Sequence, residues 1–177
     1  MTKINNIAID NILTRRSIRR FNVLVPVKQS DIECLIECAS AAPSARNSRP
    51  CHFIAVTKRE LLDTLSKTLP HGKMLIEATL AVVVCGETER DGNKLDYWEQ
   101  DCAAAMENLL LAANALGLGA VWLGVRHSLD NLEMKLKLMF KIPENIAILG
   151  IAAIGHPAET KDPHKGIIPT SFHLNKW

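Results

Sequence analysis

The chain has 177 residues, of which 47% are hydrophobic and 23% charged, and its formal net charge is +2. This length suits one domain that buries roughly 70% of the surface exposed by its unfolded chain, and the composition excludes a disordered, collagenous or disulfide-rich protein. Because charge is spread along the chain, a general nucleic-acid-binding protein with a basic face is disfavoured. We therefore predict one domain, residues 1–177, with no nucleic-acid partner.

The first predicted helix leads into a cluster of arginines. Apolar residues recur at helical spacing from Ile4 to Ile12, and the stretch TRRSIRRF follows, with four arginines around Ser17. If the helix continued through this stretch, like charges would repeat at i,i+4 and cost a few tenths of a kcal/mol per pair. Two interpretations stay open here. Cations complement the dipole at a helix C-terminus, or arginine forks and the serine hydroxyl bind a phosphate.

The second predicted helix begins at a capping box and ends before a loop. Ser30 and Glu33 fit the S-x-x-E pattern, and apolar residues recur at helical spacing until Pro43. The next stretch, PSARNSRP, is a loop by composition. It is either a proline-bracketed turn or a loop that places Ser44 and Asn47 against a ligand.

Helices and strands alternate through the rest of the chain. The predicted strands are CHFIAV, LAVVVCG, AVWLGV and NIAILGIAAIG, and the predicted helices are KRELLDTLSKTL, a long apolar helix from about Trp98 to Leu116, and SLDNLEMKLKLMF. Gly117 supplies the left-handed cap of the long helix. Alternation alone predicts a parallel sheet, but no GxGxxG follows the first strand, so a Rossmann dinucleotide site is not supported. The tail from His156 carries apolar residues that we expect to pack along a surface.

The cysteines and the uncharged segments indicate the cellular compartment of the protein. The five cysteines show no CxxC spacing, so we expect reduced core thiols and no metal site, although Cys34 and Cys38 could share a helix face. The N-terminus has no apolar segment of signal-peptide length. The uncharged run from Asn108 to Val125 is broken by GLG, which favours a buried helix and strand over a membrane span. We predict a cytoplasmic protein with no membrane partner.

Four motifs stand out when they are taken in chain order. They are RRSIRRF near the start, PSARNSRP before a strand, LLLAANALGLGAVWLG from helix to strand, and a basic residue ahead of the terminal HLNKW. Together they resemble the nitroreductase family of FMN-dependent flavoproteins, from about residue 10 to the end. The resemblance implies an α+β fold, a three-layer α-β-α sandwich with a mostly antiparallel central sheet in place of a parallel one. It also implies an obligate homodimer that exchanges C-terminal arms and binds two FMN molecules at its interface.

The resemblance further implies a set of FMN-binding residues and no metal. Residues matching Arg15 and Ser17 hold the FMN phosphate, assisted by Arg16 and by a basic residue of the tail. The residue matching Arg19 lies near the flavin N1 and C2 carbonyl, where a guanidinium raises the reduction potential. The loop after Pro43 reaches the flavin from the other protomer, and the end of AVWLGV lines the ring with backbone groups. The implied set is Arg15, Arg16, Ser17, Arg19, Pro43, Ser44, Ala45, Asn47, Trp122, Leu123, Gly124, Val125 and Lys165.

The implied activity is that of an FMN-dependent NAD(P)H oxidoreductase. Reduced nicotinamide gives a hydride to FMN, and two electrons then pass to a nitroaromatic, quinone, enone or flavin by a ping-pong mechanism, so no catalytic side chain is required. One departure is NSRPC where the family commonly has NxQPW, which puts Arg49 in place of glutamine and Cys51 in place of tryptophan. Two alternatives stay open: a flavin-binding or flavin-processing protein of the same fold without nitroreductase activity, and a phosphate or nucleic-acid binder without flavin.

Overall fold

The computed structural model describes residues 6–125, 131–164, 166 and 168–177. In these residues the main chain forms five α-helices and six β-strands, joined by short 3-10 turns. The helices are α1 Ile7–Thr14, α2 Gln29–Ser40, α3 Arg59–Thr68, α4 Trp98–Ala115 and α5 Leu132–Phe140. The strands are β1 Cys51–Val56, β2 Leu80–Glu87, β3 Glu89–Arg90, β4 Asn93–Lys94, β5 Gly119–Gly124 and β6 Ile146–Gly155.

The central sheet is antiparallel throughout its four long strands. Its order is β1-β2-β6-β5, and β3 pairs with β4 in a separate two-stranded hairpin. The parallel sheet predicted from alternation is therefore wrong, and the antiparallel sheet implied by the resemblance is confirmed. The alternation of helices and strands did not predict strand direction correctly. The segments that carry α3 and α5 are long enough for the next strand to run in either direction.

Helices cover both faces of this sheet, which gives the predicted three layers. One face packs against α2 and α4, and the other packs against α3 and α5. Because β2 and β6 are buried on both faces, they appear in the sequence as continuous apolar runs. Alternate residues of β2 point to opposite layers, Leu80, Val82 and Val84 toward α2 and α4, and Ala81, Val83 and Cys85 toward α3 and α5.

The arginine cluster is extended, so the first helix does not continue through it. Helix α1 ends at Thr14, and Arg15 already has an extended ψ of 128°. Beyond it, Ser17 forms a parallel bridge to Ala120 of β5, and the Ile18 amide donates to the Ala120 carbonyl at 3.0 Å. The Ile18 side chain is buried, and the segment pairs with β5. Both features depend on parts of the chain that are distant in sequence. The i,i+4 charge repulsion expected on a helix therefore does not arise.

The N-cap of helix α2 lies two residues earlier than the capping box predicted. This N-cap is Lys28, which has no side-chain capping bond, so Ser30 lies inside the first turn and the predicted box is absent. Glu33 instead accepts from the Gln29 side-chain amide at 2.9 Å. The C-terminal end of α4 agrees with expectation, because Gly117 has the left-handed φ of +72°.

The long uncharged segment divides between two buried elements, as predicted. It forms the end of α4 and the whole of β5. Across residues 6–125, 131–164, 166 and 168–177, no helix has both the length and the apolarity that crossing a membrane requires. All five cysteines are free, and Cys85 and Cys102 are buried, whereas Cys34, Cys38 and Cys51 are partly exposed. The expectation that the cysteine thiols lie in the core is therefore met by two of the five cysteines.

Gly86 allows α4 to approach β2. A Cβ at this position would contact the Trp98 ring and would lie 2.8 Å from the Cys102 Sγ. We expect Gly86→Ala to lower the free energy of unfolding by about 1–3 kcal/mol through overpacking. Urea denaturation of the variant measures the change. Gly124→Ala is the control, since nothing lies within 4 Å of an added Cβ there, and equal losses in both variants would contradict this explanation.

Candidate functional site

The predicted arginine segment lies along the outer edge of β5. Pairing of Ile18 with Ala120 holds it there, and a cleft of about 620 Å³ opens beside it. The cleft brings together Arg19, Trp122, Leu123 and Gly124 with Val121 of β5 and with residues from the α3–β2 connection, Pro70, His71, Lys73 and Met74. Four members of the predicted set are thus neighbours in space.

The strand pattern exposes backbone groups in this cleft. The Ala120 carbonyl faces outward to Ile18, whereas the Val125 amide faces inward to the Leu149 carbonyl. Since a strand repeats every two residues, the backbone groups of Trp122 and Gly124 face the outer edge with Ala120. A planar ligand with donors and acceptors on its rim could hydrogen-bond to them.

A second cleft adjoins the same segment at Arg16. It measures about 520 Å³ and is lined by Arg16, Thr160, Lys161, Asp162, Pro163 and His164. The Arg16 guanidinium donates to the Asp162 carbonyl, and the Lys161 ammonium donates to the Ser17 carbonyl at 2.6 Å. Cations from both ends of the chain therefore meet beside Ser17. Arg16 and Lys161 are cationic groups of the kind that bind a phosphate, and they share the surroundings with two carboxylates, because Lys161 Nζ lies 3.4 Å from Glu159 Oε1 and Asp162 lines the same cleft.

One predicted phosphate ligand lies elsewhere in the structure, and another falls outside the described residues. Arg15 lines neither cleft, because its Nε lies 3.3 Å from a carboxylate oxygen of Glu107 on α4. Lys165 lies outside the described residues. Lys161 was missed by sequence analysis, although a basic residue was expected in this tail. The available signal was weak, since the tail contains several lysines and the motif pointed to the one nearest HLNKW.

Two carboxylates that the sequence did not indicate hold the arginine segment in place. Glu159 accepts from the Arg19 amide at 2.5 Å, and this bond, followed by Lys161, lowers the pKa of the Glu159 carboxyl. Glu77 accepts from the Phe21 amide at 3.1 Å and from Arg20 Nε at 3.0 Å. The Phe21 amide first and Arg20 second lower the pKa of Glu77. Arg20 is therefore committed to an ion pair outside both clefts.

The lowered pKa values predict a dependence of stability on acid pH. A carboxyl whose pKa is lower in the folded state stabilises the fold above its unfolded pKa of about 4.3, and this contribution is lost as the pH falls through the folded pKa. We expect the free energy of unfolding to fall as the pH drops below about 5, and to fall less steeply in the double variant Glu77→Gln/Glu159→Gln. Urea denaturation at a series of pH values tests this. Glu60→Gln, on the exposed side of α3, is the control, and an unchanged slope in the double variant would contradict the assignment.

The loop before β1 is fixed by a buried carboxylate of α4. Asp101, only 6% exposed, accepts from the Ala45 amide at 2.9 Å and from the Ser48 hydroxyl at 3.4 Å. The Ser44 hydroxyl oxygen accepts from the Arg49 amide at 2.9 Å. The loop is therefore an ordered structure that is built on α4. Asp101 was not indicated by the sequence, because its partners are more than fifty residues away.

This loop contains unusual backbone conformations. Arg46, Asn47 and Arg49 have φ values of 54°, 54° and 47°, in the left-handed region. Asparagine tolerates that region, but arginine rarely adopts it. Such conformations persist where the surrounding structure enforces them and are concentrated at functional sites. The loop is therefore a candidate ligand-contacting segment, as the resemblance implied.

Within one chain, the loop and the arginine cleft lie apart. Pro43–Asn47 precede β1, whereas Trp122–Val125 end β5, and these strands form opposite edges of the sheet. Three interstrand spacings separate the two edges, or about 14 Å. The structure thus brings Arg19 to the end of β5 and pairs Ser17 with Ala120 near the start of that strand, but it brings neither residue to the loop.

Comparison with known proteins identifies the fold and family. The sequence profile described as Nitroreductase family matches residues 12–70 and 63–156. The chain belongs to the nitroreductase family. A protein of Archaeoglobus fulgidus named "Putative NADH dehydrogenase/NAD(P)H nitroreductase" is 40% identical over 169 residues, covering 94% of this chain and 96% of that protein. The predicted family is confirmed.

Two solved structures show the same nitroreductase fold. A crystal structure from Parabacteroides distasonis, under the same name as the Archaeoglobus protein, has a TM-score of 0.90 at 38% identity and covers 98% of this chain and 100% of that one. A structure described as an FMN-dependent nitroreductase from Clostridium difficile has a TM-score of 0.88 at 29% identity, covering 96% and 99%. The predicted α+β three-layer fold is therefore confirmed.

Proposed function

We propose that the protein is an FMN-dependent oxidoreductase that takes a hydride from NAD(P)H and passes two electrons to a small acceptor. The observation that carries the proposal is the meeting of Ser17 and Arg19 with the open edge of β5, next to a second cleft that Arg16 lines, in a nitroreductase fold. Membership of a family whose relatives are named for NAD(P)H and FMN supports the choice of cofactor and electron donor.

The residues of the two clefts fit the two ends of FMN. Arg16 and Lys161 offer cationic donors suited to a phosphate in the second cleft. The first cleft, of about 620 Å³, has the size of a small-molecule site, and the outward backbone groups of Trp122 and Gly124 suit the polar rim of an isoalloxazine. When bound, FMN supplies the hydride acceptance and electron transfer. We propose that Arg15 turns from Glu107 toward the phosphate, and that Lys165 assists it.

The side chains of this site position and polarise rather than transfer protons. Glu159 accepts from the Arg19 amide at 2.5 Å, which anchors the backbone of Arg19 beside the cleft that Trp122 also lines. A cation there stabilises the reduced form of a bound group that becomes more negative on reduction. Acceptors compatible with this arrangement are nitroaromatics, quinones, enones and free flavins. In the proposed ping-pong turnover, the electron donor and the acceptor use the same cleft in turn.

We further propose that the site is completed in a homodimer with exchanged C-terminal arms. The loop that carries Pro43, Ser44, Ala45 and Asn47 lies at the sheet edge opposite the cleft, so a second copy is needed to bring them to one ligand. The tail supports this arrangement, because Phe172, Leu174 and Trp177 are 63%, 77% and 101% exposed on their own chain. Helix α1 likewise buries none of its residues. A partner subunit covering these apolar groups accounts for their presence.

A spectrum of the purified protein tests the proposed activity. We expect flavin absorption, bleaching within seconds when NADH or NADPH is added without oxygen, and recovery of the colour when a quinone or nitroaromatic follows. Parallel double-reciprocal plots would support the ping-pong order. Flavin that is retained but never bleached would instead support the flavin-binding or flavin-processing alternative. Colourless protein that FMN does not stabilise against heat would overturn the proposal.

A further inference from the structure

Two thiols with no part in the proposed electron transfer lie in contact between β1 and α4. The Sγ atoms of Cys51 and Cys102 are 3.4 Å apart. Cys51, the first residue of β1, is partly exposed, whereas Cys102 on α4 is fully buried. Both are free thiols. The contact therefore joins a thiol that solvent can reach to one that solvent cannot.

The missing side chain of Gly86 explains why these thiols meet. In the β1–β2 ladder Cys51 is directly opposite Gly86, and a Cβ on Gly86 would lie 2.8 Å from the Cys102 Sγ. Helix α4 therefore rests on the strand at this point, and its thiol reaches across to the neighbouring strand. The contact follows from the packing of three secondary-structure elements rather than from a mobile surface loop.

A covalent bond between the two sulfur atoms requires only a short approach. A disulfide has an S–S length of about 2.05 Å, so the atoms must close by about 1.4 Å from their present separation of 3.4 Å. Side-chain rotation on both residues can supply much of that. The bond would join the same two parts of the chain that Asp101 already joins through the Ala45 amide and the Ser48 hydroxyl.

We propose that Cys51 and Cys102 form an oxidisable pair, which a hydroperoxide converts into an intrachain disulfide. The Cys51 thiolate attacks one peroxide oxygen, the O–O bond breaks, and the leaving oxygen takes a proton to become water or an alcohol. Cys51 is then a sulfenic acid. The Cys102 sulfur attacks the Cys51 sulfur, the S–O bond breaks, and the departing hydroxide takes the Cys102 proton as a second water. Two thiols lose two electrons, which the peroxide gains.

The surroundings of the two cysteines determine which one attacks the peroxide and which one then completes the disulfide. The hydrogen-bond contact with Cys102 lowers the pKa of the Cys51 thiol, whereas that contact and burial raise the pKa of Cys102. Cys51 therefore provides the thiolate that attacks, and its partial exposure admits the oxidant. The third nearby thiol, Cys85, is buried, and desolvation raises its pKa to about 12, so it does not compete.

Thiol counting and peptide mapping after peroxide treatment test the proposal. The reduced full-length protein, with whatever flavin it retains, is treated with a small excess of hydrogen peroxide, denatured and alkylated. We expect two of the five thiols to escape alkylation, a cross-linked peptide pair containing Cys51 and Cys102, and full recovery of the thiols with dithiothreitol. This measurement on the unmodified sequence needs no variant to fold.

Matched variants make the assignment specific. Cys51→Ser and Cys102→Ala should each abolish the cross-link, while the double variant Cys34→Ser/Cys38→Ser should form it as the unmodified protein does. Four results would overturn the proposal. They are five alkylated thiols after oxidation, irreversible oxidation of Cys51 with Cys102 still free, a bridge that involves Cys34 or Cys38, and a bridge between two copies of the chain.

Discussion

Arg15→Ala should raise the Kd for FMN roughly 10- to 100-fold. A hydrogen bond to a charged group contributes about 1.5–3 kcal/mol, and each 1.4 kcal/mol changes an equilibrium constant about tenfold. If Arg15 turns from Glu107 to the phosphate as proposed, the substitution removes one cationic donor to a group of nearly two negative charges. Titration of the flavin-free protein with FMN, followed by flavin fluorescence, measures the change.

Two further variants separate phosphate binding from a general loss of positive charge. Arg20→Ala removes a charge from the same cluster, but Arg20 is paired with Glu77, so its Kd for FMN should stay close to that of the unmodified protein. Glu107→Gln should not weaken FMN binding, because it releases Arg15 from the ion pair of 3.3 Å. Equal weakening by Arg15→Ala and Arg20→Ala would show that Arg15 has no specific role.

Arg19→Ala should lower the reduction potential of bound FMN more than it weakens FMN binding. A unit charge about 4 Å from the developing negative charge contributes roughly 4 kcal/mol at an effective dielectric near 20, which is up to about 90 mV for a two-electron couple. Arg19 is exposed, so solvent screening reduces the expected shift to tens of millivolts. Equilibration against a redox dye of known potential measures it.

The conservative substitution distinguishes charge from shape at this position. Arg19→Lys keeps the positive charge and should retain most of the potential, whereas Ser17→Ala should weaken FMN binding and leave the potential unchanged. A potential that is the same in Arg19→Ala as in the unmodified protein, together with a large loss of affinity, would assign Arg19 to phosphate binding instead.

The elements of the fold were predictable from the sequence because most of their signals are local. The apolar runs of β2 and β6 required burial on both faces, and Gly117 required a left-handed helix end. Strand direction was not local information, since connections of this length permit either direction. Only the resemblance to a family supplied the antiparallel sheet.

The site was predictable in composition but not in geometry. The motifs named Ser17, Arg19 and the end of β5, which lie along one edge of the sheet, whereas Arg16, which they also named, lines the second cleft. The sequence left open whether the first helix continues through these residues, because their extended conformation depends on pairing with β5 about a hundred residues later. The carboxylates that hold the segment and the loop are also far in sequence from their partners. No pattern of neighbouring residues could therefore have indicated them.

The positions of the loop and the cleft on opposite edges of the sheet have a consequence for dilute solutions. If each flavin is held by parts of two subunits, each subunit contributes to both sites and possesses neither alone. Cofactor retention and subunit association then become a single equilibrium governed by mass action. Dilution by itself would empty the sites, and added FMN would draw separated subunits back together.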